Sequence, residues 1–418
     1  MRHSALVVLC ALAITGSAQT TFRVMVYNLL AFPDPIPVNR QDTLAKIIAY
    51  HPVDLLITEE MLTEAGADLV LTEALNVNGT TRFSRAAFVV QISDPNSPYK
   101  LMQTLFYDHE QFTLKQQRTL TTSVRDINVF TLYMNDVDLA QTMDTTFMTI
   151  YAVHFKASQG AVNEYDRQQM AEVLIDDLIT LPPGSNVVVA GDMNIYSAAE
   201  GAYTVLTATG APLTLRDPLT LPVQWNANGA MAEHHTQSTR SSPLYGEGAG
   251  GGLDDRFDIG LFSDALMDGT NGSQLVPGSY RPLGNSGTCL NDNITDCSPL
   301  QTPYSVLRAL YYMSDHLPLV FDLSYARTVT GVPSQPHTVS AMTLTGREDG
   351  TVCLGTDAPG TGMLRYSDLS GRIILEQQVR FGAGSTSFIS PAGLPAGSYV
   401  VQLVTAQHTI SLRTLLEP

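Results

Sequence analysis

The stretch that most constrains this chain is Asn186 to Tyr196, NVVVAGDMNIY. Asn186 to Ala190 is a short β-branched apolar run bounded by LPPGS before it and Gly191 after it, which reads as a buried strand. At its carboxyl end stand Asp192 and Asn194, two positions apart and so on one side of an extended chain. A G-D-x-N after a strand can also be a capped turn. Yet a carboxylate and an amide held at a rigid strand end occupy the place where α/β folds tend to keep their chemistry.

The same habit recurs along the chain. Phe22–Leu30 reads as a strand ending near Asn28, and 54–60 (DLLITEE) as a buried strand ending on carboxylates. Strands are also expected at 86–92, 101–107, 128–134, 146–153 (followed by His154), 258–262 and 317–323. Helices are expected at 42–50, with Asp42 as its N-cap, at 63–75 and at 165–178. Strands alternating with a few helices suit a sheet-rich, layered α/β core. The stretch 269–303 reads as an irregular insertion holding Cys289 and Cys297, and 326–338 as a Pro/Thr/Ser-rich linker. Residues 339–418 carry short alternating runs separated by Gly and Pro, the pattern of a small all-β sandwich.

Residues 1–18 have the form of a signal peptide: Arg2 and His3, then an apolar run from Ala5 to Ile14, then Gly16-Ser17-Ala18. That run is shorter than the ~20 residues of a membrane span. Export places the mature start near Gln19, and the chain is expected to be secreted or at the cell surface after passing the periplasm. In that setting Cys289 and Cys297 can form a short-loop disulfide, leaving Cys353 single. With no histidine near these cysteines, a zinc site is not expected. The net charge of −17 offers no basic block for tight nucleic-acid binding, though it does not exclude a catalyst that meets DNA briefly through a metal.

Polar residues that close or follow apolar runs form one set: Asn28, Glu60, His154, Asp192, Asn194, Asp258, Asp315 and His316. The set suits hydrolysis at phosphorus. A hard cation such as Mg²⁺ needs oxygen ligands, a carboxylate can orient and deprotonate water, and His, Asn or Arg can stabilise charge on the phosphoryl oxygens.

With these residues in order, the chain resembles the endonuclease/exonuclease/phosphatase superfamily, the fold of pancreatic-type deoxyribonuclease. The resemblance rests on VMVYN, DLLITEEM, YAVHFKAS, VVVAGDMN, DDRFDIGL and SDHLPL, spread over residues 22–323. It implies a four-layered α/β sandwich with its site across the ends of two sheets. It implies Glu60, rather than Glu59, as the principal ligand of Mg²⁺ (Mn²⁺ or Ca²⁺ being alternatives), with Asn28 and Asp315 near the ion. Asp192 would activate water and Asn194 would hold water or phosphate. His316, polarised by Asp258, and His154 would face the phosphate, with Arg167 and Arg256 as phosphate-binding arginines. The chain departs from the deoxyribonucleases in offering no clear glutamate to support His154. The segment HTQSTR and the glycine loop after it could form a substrate wall. The last 80 residues resemble the type IX secretion sorting domain of Bacteroidetes, through LSGRIILEQQ and LPAGSYVVQLVTAQHTISLRTLLEP, which implies an export machinery as partner.

The reading is a secreted, metal-dependent phosphodiesterase acting on extracellular nucleic acid, monomeric and without stable membrane insertion. A phosphomonoesterase or sphingomyelinase-like lipid hydrolase is the alternative, and a non-catalytic binding protein on the same fold comes third.

Overall fold

The structure is a computed structural model. It describes residues 18–34, 37–136, 139, 145–208, 210, 213–219, 222–327, 343–346, 351–356, 359–368, 372–388, 397–405 and 409–416. The signal-peptide stretch 1–17 and most of the expected linker lie outside the described residues. The chain divides into two compact units, Met1–Thr330 and Gly331–Pro418.

The first unit is built on two sheets. Its amino-terminal half supplies β1 (Ala18–Phe32), α1 (Arg40–Tyr50), β2 (Leu55–Met61) and α2 (Glu64–Leu69), the last running into a π-helical turn at Val70–Leu75. Next come β3 (Phe83–Arg85), β4 (Met102–Asp108), β5 (Phe112–Leu120), β6 (Ile127–Met134) and β7 (Phe147–His154). The helix α3 (Ala161–Leu178) leads to β8 (Asn186–Asp192), followed by α4 (Gly201–Thr207) and β9 (Leu215–Arg216). The rest is β10 (Asp258–Ser263), α5 (Asp264–Asp268), β11 (Ser273–Leu275), β12 (Arg281–Pro282), α6 (Tyr304–Met313) and β13 (Leu319–Arg327). One sheet runs β11-β13-β1-β2-β4-β3, with β12 also on β13; the other runs β5-β6-β7-β8-β10-β9.

Three apolar clusters make these sheets into four layers. Leu44, Ile47, Val70 and Leu310 pack α1, the π-helical turn and α6 on one face of the first sheet. Val24, Ile57, Phe130, Ile150 and Phe321 fill the space between the sheets. Met170, Leu174 and Leu206 pack α3 and α4 on the outer face of the second sheet. Central strands therefore bury both faces, which is why β2 and β8 read as continuous apolar runs rather than alternating ones. Each fully buried Leu, Ile or Val contributes ~1.5–3 kcal/mol.

The register brings the polar strand ends to one edge. The parallel pairing β1–β2 sets Asn28 beside Glu59, and the parallel pairing β7–β8 sets His154 beside Asp192. The antiparallel β10 starts there too, with Asp258 opposite Asp192. β13 enters at the same edge, Leu319 pairing with Val26, so Asp315 and His316 lie three to four residues before it.

Several expectations are corrected. α1 begins at Arg40 after Asn39, so Asp42 lies in the first turn rather than at the cap. There its charge still meets the positive end of the helix. The run 86–92 is not a strand: only Phe83–Arg85 pairs with β4, and Val90 and Ile92 are 58% and 60% exposed. The Asp126 carboxylate accepts from the Ile92 and Ser93 amides, replacing a strand partner there. β5 is an additional strand whose polar run FTLKQQRTL sits at a sheet edge. The 269–303 region is largely irregular apart from β11 and β12, and Cys289 and Cys297 are disulfide-bonded while Cys353 is free and buried.

The second unit holds a sheet of β14 (Thr343–Gly346), β15 (Val352–Thr356) and β18 (Gly384–Phe388), with β15 in the middle. Its other sheet comprises β16 (Gly360–Ser367), β17 (Ile373–Phe381), β19 (Gly397–Val404) and β20 (Thr409–Leu416). Val352, Leu354, Leu364, Tyr366, Val401 and Leu403 form its core, as the alternating runs require.

Candidate active site

Local backbone strain aims the central groups. Glu60 has φ 57° and lies where β2 slips register between Thr58 and Met61, so a bulge turns its carboxylate away from simple alternation with Glu59. Asn194 is also left-handed, at φ 50°. Such conformations cost roughly 1–3 kcal/mol each and concentrate at functional sites.

The groups converge closely. Asn28 Nδ2 donates to Glu60 Oε1 at 3.1 Å and to Asp192 Oδ2 at 3.2 Å. Glu60 Oε2 accepts from the Ala31 amide at 2.9 Å. Asp192 Oδ2 lies 3.4 Å from His154 Nε2 and 3.7 Å from His316 Nε2. His316 Nδ1 meets Asp258 Oδ2 at 2.7 Å. Ser314 Oγ donates to the Asn28 carbonyl at 2.6 Å and accepts from the His316 amide, tying β1 to the approach of β13. The Asn194 amide donates to Asp192 Oδ1 at 3.1 Å, and its side chain donates to the Phe155 carbonyl.

Burial divides the charges. It pushes the Asp192 carboxyl up, against the pull of the His316 charge. Burial disfavours the imidazolium of His316, but Asp258 and Asp192 outweigh it and hold that group well above the ordinary imidazole value. His154 goes the other way: burial, then Arg125 and His316, hold it well below that value. Its Nδ1 is buried without a partner, so the absent glutamate noted in the sequence has no substitute. His154 is thus held as a neutral hydrogen-bonding group. Glu59, fully buried with neither carboxylate oxygen partnered, is pushed far up by burial and by Asp258 and Asp192.

Arg167 and Arg256 are not placed as phosphate binders. Arg167 is fully buried, its Nε donating to Glu200 Oε2 at 2.8 Å and its Nη1 to the Lys156 and Ser158 carbonyls. Glu200 also accepts from the Tyr196 amide, so this pair binds the loop after β7 to the loop after β8. Arg256 is spent on Asp217 at 2.8 Å and lies over the Trp225 ring. Arg167→Met is expected to cost about 3–5 kcal/mol in denaturant unfolding, because it leaves Glu200 buried and unpaired. A phosphate-binding arginine would instead raise KM and leave stability unchanged.

The guanidinium that does reach the site is Arg125, in the loop before β6. It donates to the Phe155 carbonyl and acts electrostatically on Glu60, Asp192 and His154. The sequence signal for it is slight: an Arg-Asp pair preceding a strand that starts at the site edge.

Gln237 was also missed. In HTQSTR its amide nitrogen lies 2.7 Å from His316 Nε2 and 3.3 Å from Asp315 Oδ2, and the Ala249 amide donates to the same Asp315 oxygen at 2.6 Å. The HTQSTR segment and the glycine loop after it therefore wrap Asp315 and His316 on the approach to β13. Gly252, at φ 86°, lies flush against the disulfide loop, where a Cβ would come within 2.2 Å of Asn291 C, and the Leu253 amide donates to the Asp292 carbonyl. In the same segment, burial pushes Asp255 up to about 7, while the Asn226 amide works against the shift. A carboxyl with a raised native pKa is without penalty below its unfolded value near 4 and costs stability increasingly as pH rises towards 7. Asp255→Asn is therefore expected to raise Tm by about 2–4 °C at pH 8 and to leave it unchanged at pH 3.5. Equal shifts at both pH values would refute this.

Glu60, Asp315 and Asn28 supply hard oxygen donors. Among the described residues no three His, Cys, Asp or Glu side chains converge on one point as a closed metal cage. That donor set fits a cation such as Mg²⁺, which keeps several waters and needs only one or two carboxylates. The mutual repulsion of Asp192, Glu60 and Asp258 contributes to the raised Asp192 carboxyl, and a cation beside Glu60 would relieve it.

No protein-family model and no curated protein sequence matches the chain. Among solved structures it is similar to the human Nocturnin catalytic domain with bound sulfate, at 16% identity and TM-score 0.45, over 74% of this chain and 98% of that one. It is similar to D. rerio TDP2 complexed with a single-strand DNA product, at 12% identity and TM-score 0.46, over 73% and 99%. It is also similar to an endonuclease/exonuclease/phosphatase from Beutenbergia cavernae, at 15% identity and TM-score 0.40, over 95% and 100%. Similarity at this level leaves activity to be argued from the site.

Proposed function

We propose that the chain is a metal-dependent phosphodiesterase whose substrates are nucleic acids. The observation that carries this reading is the buried Asp192 carboxylate between two histidines, one of them charged by Asp258. Asp192 Oδ2 accepts a proton from water as the water oxygen bonds to phosphorus and the bond to the leaving oxygen breaks, that oxygen taking up a proton from solvent. Asn194 and Asn28 fix the carboxylate by donating to its two oxygens. The His316 imidazolium, the neutral His154 Nε2–H and the Arg125 guanidinium offer donors to the phosphoryl oxygens as their charge grows. A bound Mg²⁺, held by Glu60 with Asn28 and Asp315 at hand, supplies Lewis-acid polarisation of the phosphate.

A lipid phosphodiester is the second reading, favoured by one surface. Val90, Ile92 and Tyr99, the last 76% exposed, lie on the loop before β4 that meets the site edge. Among the described residues no helix is long and apolar enough to cross a membrane. Export is part of the proposal, through the signal peptide at residues 1–18 and the carboxyl-terminal unit as sorting module.

The test is plasmid nicking by residues 19–418 with Mg²⁺, with chelator, and with His316→Ala. Nicking lost in both controls supports the nuclease. No nicking, with Mg²⁺-dependent release of phosphocholine from sphingomyelin vesicles, turns the assignment to lipid. Inactivity on both would refute it. Appearance of the chain in culture medium, lost on deleting residues 339–418, tests export.

A further inference from the structure

The second sheet carries a polar cavity of about 560 Å³ away from the catalytic groups. Its floor includes Thr149 on β7, five residues before His154 and so about 16 Å along the strand. Its walls come from the strand starts Phe147 and Asn186, the LPPGS turn and the Thr270–Gly272 loop.

Three features define what it can hold. Among the described residues no acidic or basic side chain lines it, while the Lys115 ammonium lies over the Phe147 ring, 5.6 Å from its centroid. A cationic ligand there would be desolvated with no carboxylate among the described lining residues and with Lys115 close by, and in a chain of net charge −17 an anion would be repelled. The lining is rich in hydroxyls and amides. Thr131 and Thr149 hydroxyls face each other across the strands at 3.5 Å, and among the described residues nothing engages the Thr146 hydroxyl or the Gln116 amide. A wholly apolar ligand would leave these groups unsatisfied. Finally, the aromatic ring of Phe147 is 38% exposed at this wall, its edge supported by Tyr133.

The walls are also fixed in place. Asn186 Nδ2 donates to the Phe147 carbonyl at 3.1 Å and the Asn271 carbonyl at 3.0 Å, and Asn271 Nδ2 donates to the Gly184 carbonyl. Three chain segments are thus cross-tied around the space, so little ordering remains for a ligand to induce.

We propose that this cavity binds a neutral saccharide of one or two sugar units. Hydroxyls and amides match sugar hydroxyls as paired donors and acceptors, the phenyl ring takes an apolar sugar face, and the volume lies in the range of small-ligand sites. The site is separate from the phosphodiester chemistry and would tether the enzyme to a glycan while the other edge of the sheet works.

The experiment titrates the full mature chain with glucose, galactose, N-acetylglucosamine, maltose and chitobiose by calorimetry, with glucuronate and glucosamine as charged comparisons. Saturable binding of at least one neutral sugar, and none of the charged ones, is expected. Thr149→Val keeps the β-branched shape and removes the hydroxyl; it should weaken binding about tenfold. Phe147→Ala should weaken it at least as much, and both should leave nuclease activity within about twofold because the sites are far apart. No saturable binding up to about 50 mM, binding indifferent to Thr149→Val, or equal binding of the charged sugars would overturn the proposal.

Discussion

Asp258→Asn is expected to lower kcat for the proposed phosphodiester hydrolysis by about 10³-fold with KM little changed. His316 sits in a buried pocket that by itself would strip its charge, and the 2.7 Å contact with Asp258 is the principal reason the charge survives. An amide at position 258 keeps the shape and can still hydrogen-bond, but it removes the negative charge. The imidazole pKa then falls, and with it the fraction of enzyme carrying a cation at the phosphate. The pH profile separates this from simple misfolding. In the native protein the imidazolium persists to high pH and is lost only as pH rises through its raised pKa. In the variant, residual activity should already fall off at or below the ordinary imidazole range. Stability should change much less than rate, since Asp258 Oδ1 has no partner to lose. A loss of less than tenfold, or an unshifted alkaline limb, would show that His316 does not act as a cation.

The strand-end groups were legible because the rule behind them is local. Asn28, Glu60, His154, Asp192 and Asp258 each close or open an apolar run, and a sheet brings such positions to one edge once its register is fixed. Arg125 escaped that rule because it lies in a loop before its strand, where an arginine looks like any solvated charge. Arg167 failed it in the opposite direction. On the first turns of a helix it reads as a surface or phosphate-facing charge, and only the remote Glu200, brought in by packing, shows that it is buried. Gln237 was unreadable because its significance depends on the glycine loop folding back over Asp315. The run 86–92 was misread because its apolar residues suit a strand, yet the sheet beyond Phe83–Arg85 gives them no partner.

Gly191→Ala should be the most damaging single-methyl change in the first unit, costing about 3–5 kcal/mol or preventing recovery of folded protein. Gly191 lies within β8 at φ 151°, and a Cβ there would fall 1.8 Å from the Val153 carbonyl oxygen and 3.0 Å from Glu59 Oε1. The first of these is backbone in the neighbouring parallel strand, so no rotamer change can relieve it. The strands must part, and they pair Val153 with Gly191 and His154 with Asp192. The methyl group would therefore separate the two side chains whose opposition defines the site. Whatever protein folds should lose phosphodiesterase activity by more than its loss of stability explains. Val189→Ala, which removes buried methyls two residues upstream on the same strand, provides the contrast. It should cost about 1–3 kcal/mol by leaving a cavity, yet retain most of its activity because the register at Asp192 is untouched. If Gly191→Ala unfolds within 1 kcal/mol of the native chain and keeps its rate, then β7 and β8 do not hold His154 and Asp192 in place, and the water-activating role of Asp192 must rest on its other neighbours, Asn28 and His316.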